Sequence, residues 1–316
     1  MNKIQTSVIK TIAYFDIFNY PLTAQEVHSF LDIACDEQQV QKAITELANQ
    51  KIIFKAKEFY SLQCDDEQAA MRLADNAEAT KQLLKAQKIA TLITKFPFIR
   101  AVAVSGSLSK NVANAHSDFD YFIITKANRL WVSRLFFTCL VKAASIFGFG
   151  RYFCLNYIID EQYLEVQEKN IFTATEVITL KPMYGQQLLH AFFKTNNWVN
   201  NFFPNNRQTE NKSKEFHASF FASIIEKIFN GNFGEKADNY ILRFCQRRWK
   251  KMMAKQKFTK TGFQLGAMMA DKHFCRPYPH QFQKKIIDKH QEKVTKLNAN
   301  INAAYSTLSD DISVVL

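Results

Sequence analysis

Glycine and proline are scarce in this 316-residue chain, at 8 and 6, which excludes collagen-like and low-complexity architectures. Cysteine is sparse and dispersed over positions 35, 64, 139, 154, 245 and 275. With no Cys-x-x-Cys and no close pairs, neither a disulfide framework nor a tetrahedral zinc site is in view. His273 and Cys275 lie two apart and read as packing. The first ten residues lack the apolar stretch of a secretory signal. The greasiest run, Leu130 to Phe149, contains Arg134 and Lys142, which a membrane span would have to bury. No repeat of solenoid length is visible. These absences give a cytoplasmic protein with reduced thiols and no membrane partner.

Apolar material, by contrast, is ample. The chain is 47% hydrophobic and 22% charged, with 29 phenylalanines. Its length predicts two or three compact units with cores that need no covalent staples. The phenylalanine excess points to a phenylalanine-rich core.

The net charge of +12 is unevenly spread. Residues 1–62 hold 6 Lys/Arg against 7 Asp/Glu, residues 63–204 hold 15 against 12, and residues 205–316 hold 20 against 10. Within the last third, Arg243 to Lys260 carries eight basic residues and no acid. Cys245, Trp249, Met252 and Met253 recur there at near-helical spacing, giving one apolar face. Three readings stay open: a packed surface helix with solvated lysines, a polyanion face for triphosphate or nucleic acid, and a membrane-surface helix.

At the N-terminus, apolar residues at Ile4, Val8, Ile12 and Phe15 predict a helix over Ile4 to Phe18, ended by Asn19-Tyr20-Pro21. Thr23 with Glu26 forms a capping box, each side chain able to satisfy the other's free backbone donor. Asp36 caps a third helix through Val40, Ile44 and Leu47. Two strand-like runs between Ile52 and Leu62 flank a charged turn. Helix, helix, helix, hairpin resembles the winged helix-turn-helix family. Its third helix, Glu37 to Gln50, offers Glu37, Lys42 and Glu46 and little for a polyphosphate, so the unit reads as a protein-contact or domain-packing element. Asp65 to Lys95 reads as a linking helix through Met71, Leu73, Leu83, Leu84, Ile89, Leu92 and Ile93.

The chemistry-bearing pattern follows. Phe98 to Val104 reads as a strand, runs into Ser105-Gly106-Ser107, and is separated by ten residues from Asp118-Phe119-Asp120, which opens the apolar run Tyr121 to Ile124. This arrangement resembles the DNA polymerase beta-type nucleotidyltransferase superfamily. Alternation along a strand puts Asp118 and Asp120 on one side, where two close carboxylates repel unless a cation lies between them. Oxygen-only ligands suit Mg²⁺ or Mn²⁺. Gly106 allows close backbone approach to a phosphate, Ser107 can donate to it, and Lys110 can add a point charge. The sequence is not a Walker A loop, lacking the second glycine and the Gly-Lys-Ser/Thr ending.

The resemblance, over residues 65–200, implies transfer of a nucleoside monophosphate from an NTP to a hydroxyl of an unidentified acceptor. Gly106 and Ser107 would hold the triphosphate, and Asp118 and Asp120 the metals that catalysis needs. A third acid belongs on a neighbouring strand. The next strand here, Arg151 to Ile159, has none in its interior, which leaves Asn156 in that place with Asp160 at the strand end as the fallback. The rival readings are a catalytically impaired nucleotide sensor or regulator, and a nucleic-acid-binding protein using the 243–260 helix. Lys181 to Gly185 reads as a turn. The whole is expected to be an α+β chain: a winged-helix-like unit over 1–62, a mixed-sheet nucleotidyltransferase core with linker helix over 63–204, and a basic helical C-terminal domain over 205–316.

Overall fold

A computed structural model describes residues 1–206, 214, 219–255, 269–276 and 280–313. Helices α1 (Lys3–Asp16), α2 (Ala24–Ser29) and α3 (Glu37–Asn49) fall where the apolar spacing and the Thr23 and Asp36 caps place them. Asn2, Thr23 and Asp36 each close a capping box with the residue three positions on. Strands β1 (Leu22–Thr23), β2 (Phe54–Ala56) and β3 (Phe59–Ser61) form a small antiparallel sheet in the order β1-β3-β2. Strand β1 is two residues long and left no trace in the sequence pattern. Val8, Ile12, Leu22, Val27, Ile44 and Leu47 close the core of this unit.

Helix α4 (Asp66–Ile93) follows, capped by Asp65. It buries its alanines (Ala79, Ala86 and Ala90) against the next unit, while Met71 and Leu84 stand in solvent. Of the expected apolar residues, Ile93 is buried and Leu83 and Ile89 pack beside these alanines, while Met71, Leu84 and Leu92 do not. Small side chains let the helix lie close on the sheet, which size-blind periodicity does not register.

The central sheet is built from β4 (Ile99–Val104), β5 (Asp120–Thr125), β6 (Cys154–Asp160), β7 (Lys181–Tyr184), β8 (Met269–Ala270) and β9 (Phe274–Arg276), in the order β7-β4-β5-β6-β9-β8. Only β5 and β6 run parallel. Alternation sorts β5 cleanly. Tyr121 and Ile123 face α4 and helix α6 (Leu130–Ile146), while Phe122 and Ile124 face helices α7 (Ile171–Ile178) and α8 (Gln186–Thr195). Residues 181–184 are an edge strand rather than the expected turn; the turn is Gly185, at φ +83 and close to the backbone of Arg100 and Ala101.

Helices α9 (Phe220–Ile228) and α10 (Gly231–Ala254) lie in the basic third, α10 packing on α6. The described parts of residues 205–316 are woven into both other units. Strand β9 pairs with β6, and helix α11 (His280–Ser313) returns to the N-terminal unit, where Ile286 and Ile301 enter its core. The phenylalanine excess is only partly a core property. Phe18, Phe147, Phe149, Phe220, Phe221, Phe233 and Phe244 are exposed. Among the described residues no helix is long and apolar enough to cross a membrane.

Candidate functional site

Strand β4 ends at Val104, and Ser105 leads into a single helical turn, α5 (Gly106–Ser109), whose Gly106 sits at φ +66. A Cβ at Gly106 would fall inside the carboxylate of Asp120 on the neighbouring strand. Two demands therefore meet there: left-handed backbone and close approach to a carboxylate. Ser109 Oγ donates to the Gly106 carbonyl at 2.8 Å, and Lys110 Nζ does so at 3.2 Å. Ser107 is exposed on this turn.

Asp118 and Asp120 are placed unequally. Asp118 precedes β5 and is exposed, Phe119 between them is buried in the core, and Asp120 is largely covered. Burial pushes the Asp120 carboxyl up to about 6, the Cys154 thiol that hydrogen-bonds to it opposes the rise, and the charges of Asp118 and Glu176 add to it. The thiol of Cys154 is itself pushed far up by burial and by Asp120. Such an acid is poised to gain from a cation.

The register of β6 explains what stands beside this pair. Asp120 lies opposite Cys154, Tyr121 opposite Leu155, and Phe122 opposite Tyr157. Asn156 is thus the extra residue of a bulge. Its Nδ2 donates to Ser105 Oγ at 3.1 Å, tying β6 to the start of the Gly106 turn. Cys154, not weighed from the sequence, is the direct neighbour of Asp120. Asp160 does not serve as the fallback third acid. It pairs with Thr125, five residues beyond Asp120 on β5, roughly 17 Å away at the rise of a strand. Fully buried there, it accepts from the backbone N–H groups of Asn128 (3.0 Å) and Gln162 (3.1 Å) and contacts His273 Nδ1 at 2.9 Å.

Lys110 is not a free point charge. Its Nζ lies 2.8 Å from Glu176 Oε1 on α7, a carboxylate the sequence reading missed because nothing in the 171–178 pattern links it to the Gly106 turn. Ser105, Gly106, Ser107, Asp120, Asn156 and Glu176 together wall one end of a cavity of about 550 Å³. The N-terminal unit reaches this end directly: Tyr20 Oη donates to the Lys110 carbonyl at 2.8 Å. The guanidinium of Arg72 lies over the Tyr20 ring at 3.8 Å and pairs with Glu26 at 2.7 Å.

For a divalent cation the site offers hard oxygen donors: the Asp120 carboxylate and the Asn156 amide in the cavity lining, and the exposed Asp118 carboxylate two residues before Asp120. Among the described residues no group of three His, Cys, Asp or Glu converges as a ligand set. These donors fit Mg²⁺ held in the manner that uses one or two carboxylates and completes the shell with substrate phosphates and water.

The basic stretch lies on α10, where Arg243, Arg247, Arg248, Lys250, Lys251 and Lys255 are exposed while Cys245 and Trp249 pack on the core. Trp131 is fully buried and Arg134 lies 5.1 Å over the Trp249 ring, so both pack. Lys257 and Lys260 lie outside the described residues. Comparison with protein-family models, with curated proteins and with solved structures returns no match, so what these residues do has to be argued from their geometry.

Proposed function

We propose that the chain is a nucleotidyltransferase: it binds an NTP with Mg²⁺ or Mn²⁺ and moves the nucleoside monophosphate to a hydroxyl acceptor. One observation carries the reading. The Gly106-Ser107 turn and the Asp120 carboxylate touch across adjacent strands at the end of a cavity of about 550 Å³, a size suited to small molecules. Asp118 and Asp120 hold the cation, which when bound neutralises charge on the triphosphate. Gly106 and Ser107 receive the phosphates, and Lys110 becomes available to them when it leaves Glu176. In the transfer the acceptor oxygen bonds to the α-phosphorus. The bond from that phosphorus to pyrophosphate breaks with its electron pair, and the hydroxyl proton passes to a carboxylate at the polar end of the cavity. The aromatic walls beyond keep water from competing.

A second reading, a nucleotide sensor without turnover, is favoured by Cys154 and Asn156 standing where a third carboxylate would be. Titration calorimetry with ATP, GTP, CTP and UTP in the presence and absence of Mg²⁺, joined to a pyrophosphate-release assay, tests both. Mg²⁺-dependent binding that is lost in Asp118→Ala/Asp120→Ala supports the site. Pyrophosphate release then separates transferase from sensor. Unchanged binding in the double variant would sink the assignment.

A further inference from the structure

The cavity is strongly two-ended. Beyond Asp120 and Asn156 its walls are Phe15, Phe122, Tyr157, Phe172, Val177 and Phe282, drawn from α1, β5, β6, α7 and α11. Most of the polar side chains that interrupt this lining are already engaged, the buried Nε of Arg276 being an exception. Thr173 Oγ1 donates to the carbonyls of Glu168 and Asn170, and Thr175 Oγ1 to that of Ile171 at 2.8 Å. Arg276 pairs with Glu168, and the Gln283 side-chain carbonyl accepts from Asn170 Nδ2 at 3.3 Å. A polyol placed there would leave most of its hydroxyls without partners, which buried polar groups do not tolerate. A flat or flexible apolar body would replace water against the aromatic walls.

We infer that this apolar lobe is the acceptor site, and that the acceptor is an alcohol on an aromatic or alkyl body, not a sugar, a polyol or a nucleic-acid end. The inference rests on the nucleotidyltransferase reading and names its second substrate by class. Asp120 and Phe122, two apart on β5, line the same cavity, so a molecule lying against Phe122 with its hydroxyl foremost presents that oxygen to Asp120. Glu176 sits where the two ends meet, one helical turn from Phe172 and Thr173 on the same helix.

The test uses the full chain and anilinonaphthalene sulfonate, a fluorescent probe with an apolar body. Phenylpropanol should displace it, glycerol should not, and saturating Mg·ATP should leave it bound. Phe172→Asp should weaken the phenylpropanol-sensitive probe binding by about tenfold with Mg·ATP affinity unchanged. Phe220→Asp, on a distant exposed ring, should leave that component intact. If Phe172→Asp does not fold, Phe172→Trp, which fills the lobe without charge, should produce the same loss. Probe binding that phenylpropanol cannot displace while Mg·ATP still binds overturns the apolar acceptor alone. Displacement by Mg·ATP places the nucleobase in the lobe and also overturns it. Absence of binding of all four Mg·NTPs in the wild type removes the nucleotidyltransferase reading and the acceptor role with it.

Discussion

Replacing Asp120 by asparagine should stabilise the free protein at alkaline pH while removing its cation response. The folded state holds the Asp120 carboxyl at about 6, against an ordinary value of 3.8. Between those two values the folded protein binds the proton more tightly than the unfolded chain, so stability falls as pH rises through that window. Below it Asp120 is protonated in both states and there is no penalty. Above it the penalty is complete, and two pK units set its ceiling at about 3 kcal/mol. Asparagine fills nearly the same volume and never ionises, so Asp120→Asn should gain up to that amount at pH 8 and almost nothing at pH 4. For a chain of this length the gain corresponds to roughly 4 °C in Tm. Calorimetric scans of both proteins at the two pH values, in EDTA, read it directly. Adding Mg²⁺ should then raise the Tm of the wild type and leave the variant where it was. A variant less stable than wild type at pH 8, or offset equally at both pH values, would refute the account of why this carboxyl is raised.

Gly106→Ala forces a methyl group into the Asp120 carboxylate at positive φ, and should cost about 2 kcal/mol or more in urea titration; a neutral result would mean the turn relaxes freely. Arg72→Met leaves Glu26 and Tyr20 without their buried partner and should destabilise by about 3 kcal/mol, with loss of the Tyr20 contact to Lys110 reported as weaker NTP binding. Asn156→Asp can accept from the Ser105 hydroxyl where the amide now donates. Its Tm should stay close to wild type while Mg²⁺ affinity in calorimetry rises several-fold, and unchanged affinity would remove position 156 from the cation site.

Helices α2 and α3 were legible because Thr23 and Asp36 cap their starts and cap chemistry acts over three residues of sequence, while α1 showed only through its apolar spacing. The Gly106 turn and the start of β5 at Asp120 were legible for the same reason, both being local, whereas strand alternation does not extend to Asp118, which precedes β5. What sequence reading lost is long-range. The bulge at Asn156 depends on how β6 meets β5, and it puts Cys154 rather than an amide opposite Asp120. Glu176 joins the site through tertiary placement of α7. Strands β8 and β9 are two and three residues long, too short for alternation to signal, yet they extend the central sheet past β6. The alanine face of α4 eluded a reading that looked for large apolar side chains.

The return of α11 to the N-terminal unit sets an order of events during synthesis. Ile286 and Ile301 complete a core whose other members lie almost entirely within the first 60 residues, and His290 and Lys293 reach back to Lys10 and Asp16 on α1. A ribosome adding about 5–20 residues per second makes α1 at least ten seconds or so before α11 exists. Through that interval the outer face of α1 and the Phe172 side of α7 have no cover, and the cavity lacks the wall that Phe282 supplies. The nascent chain therefore carries a half-built pocket until α11 arrives, and the apolar end of the cavity is the part that closes last.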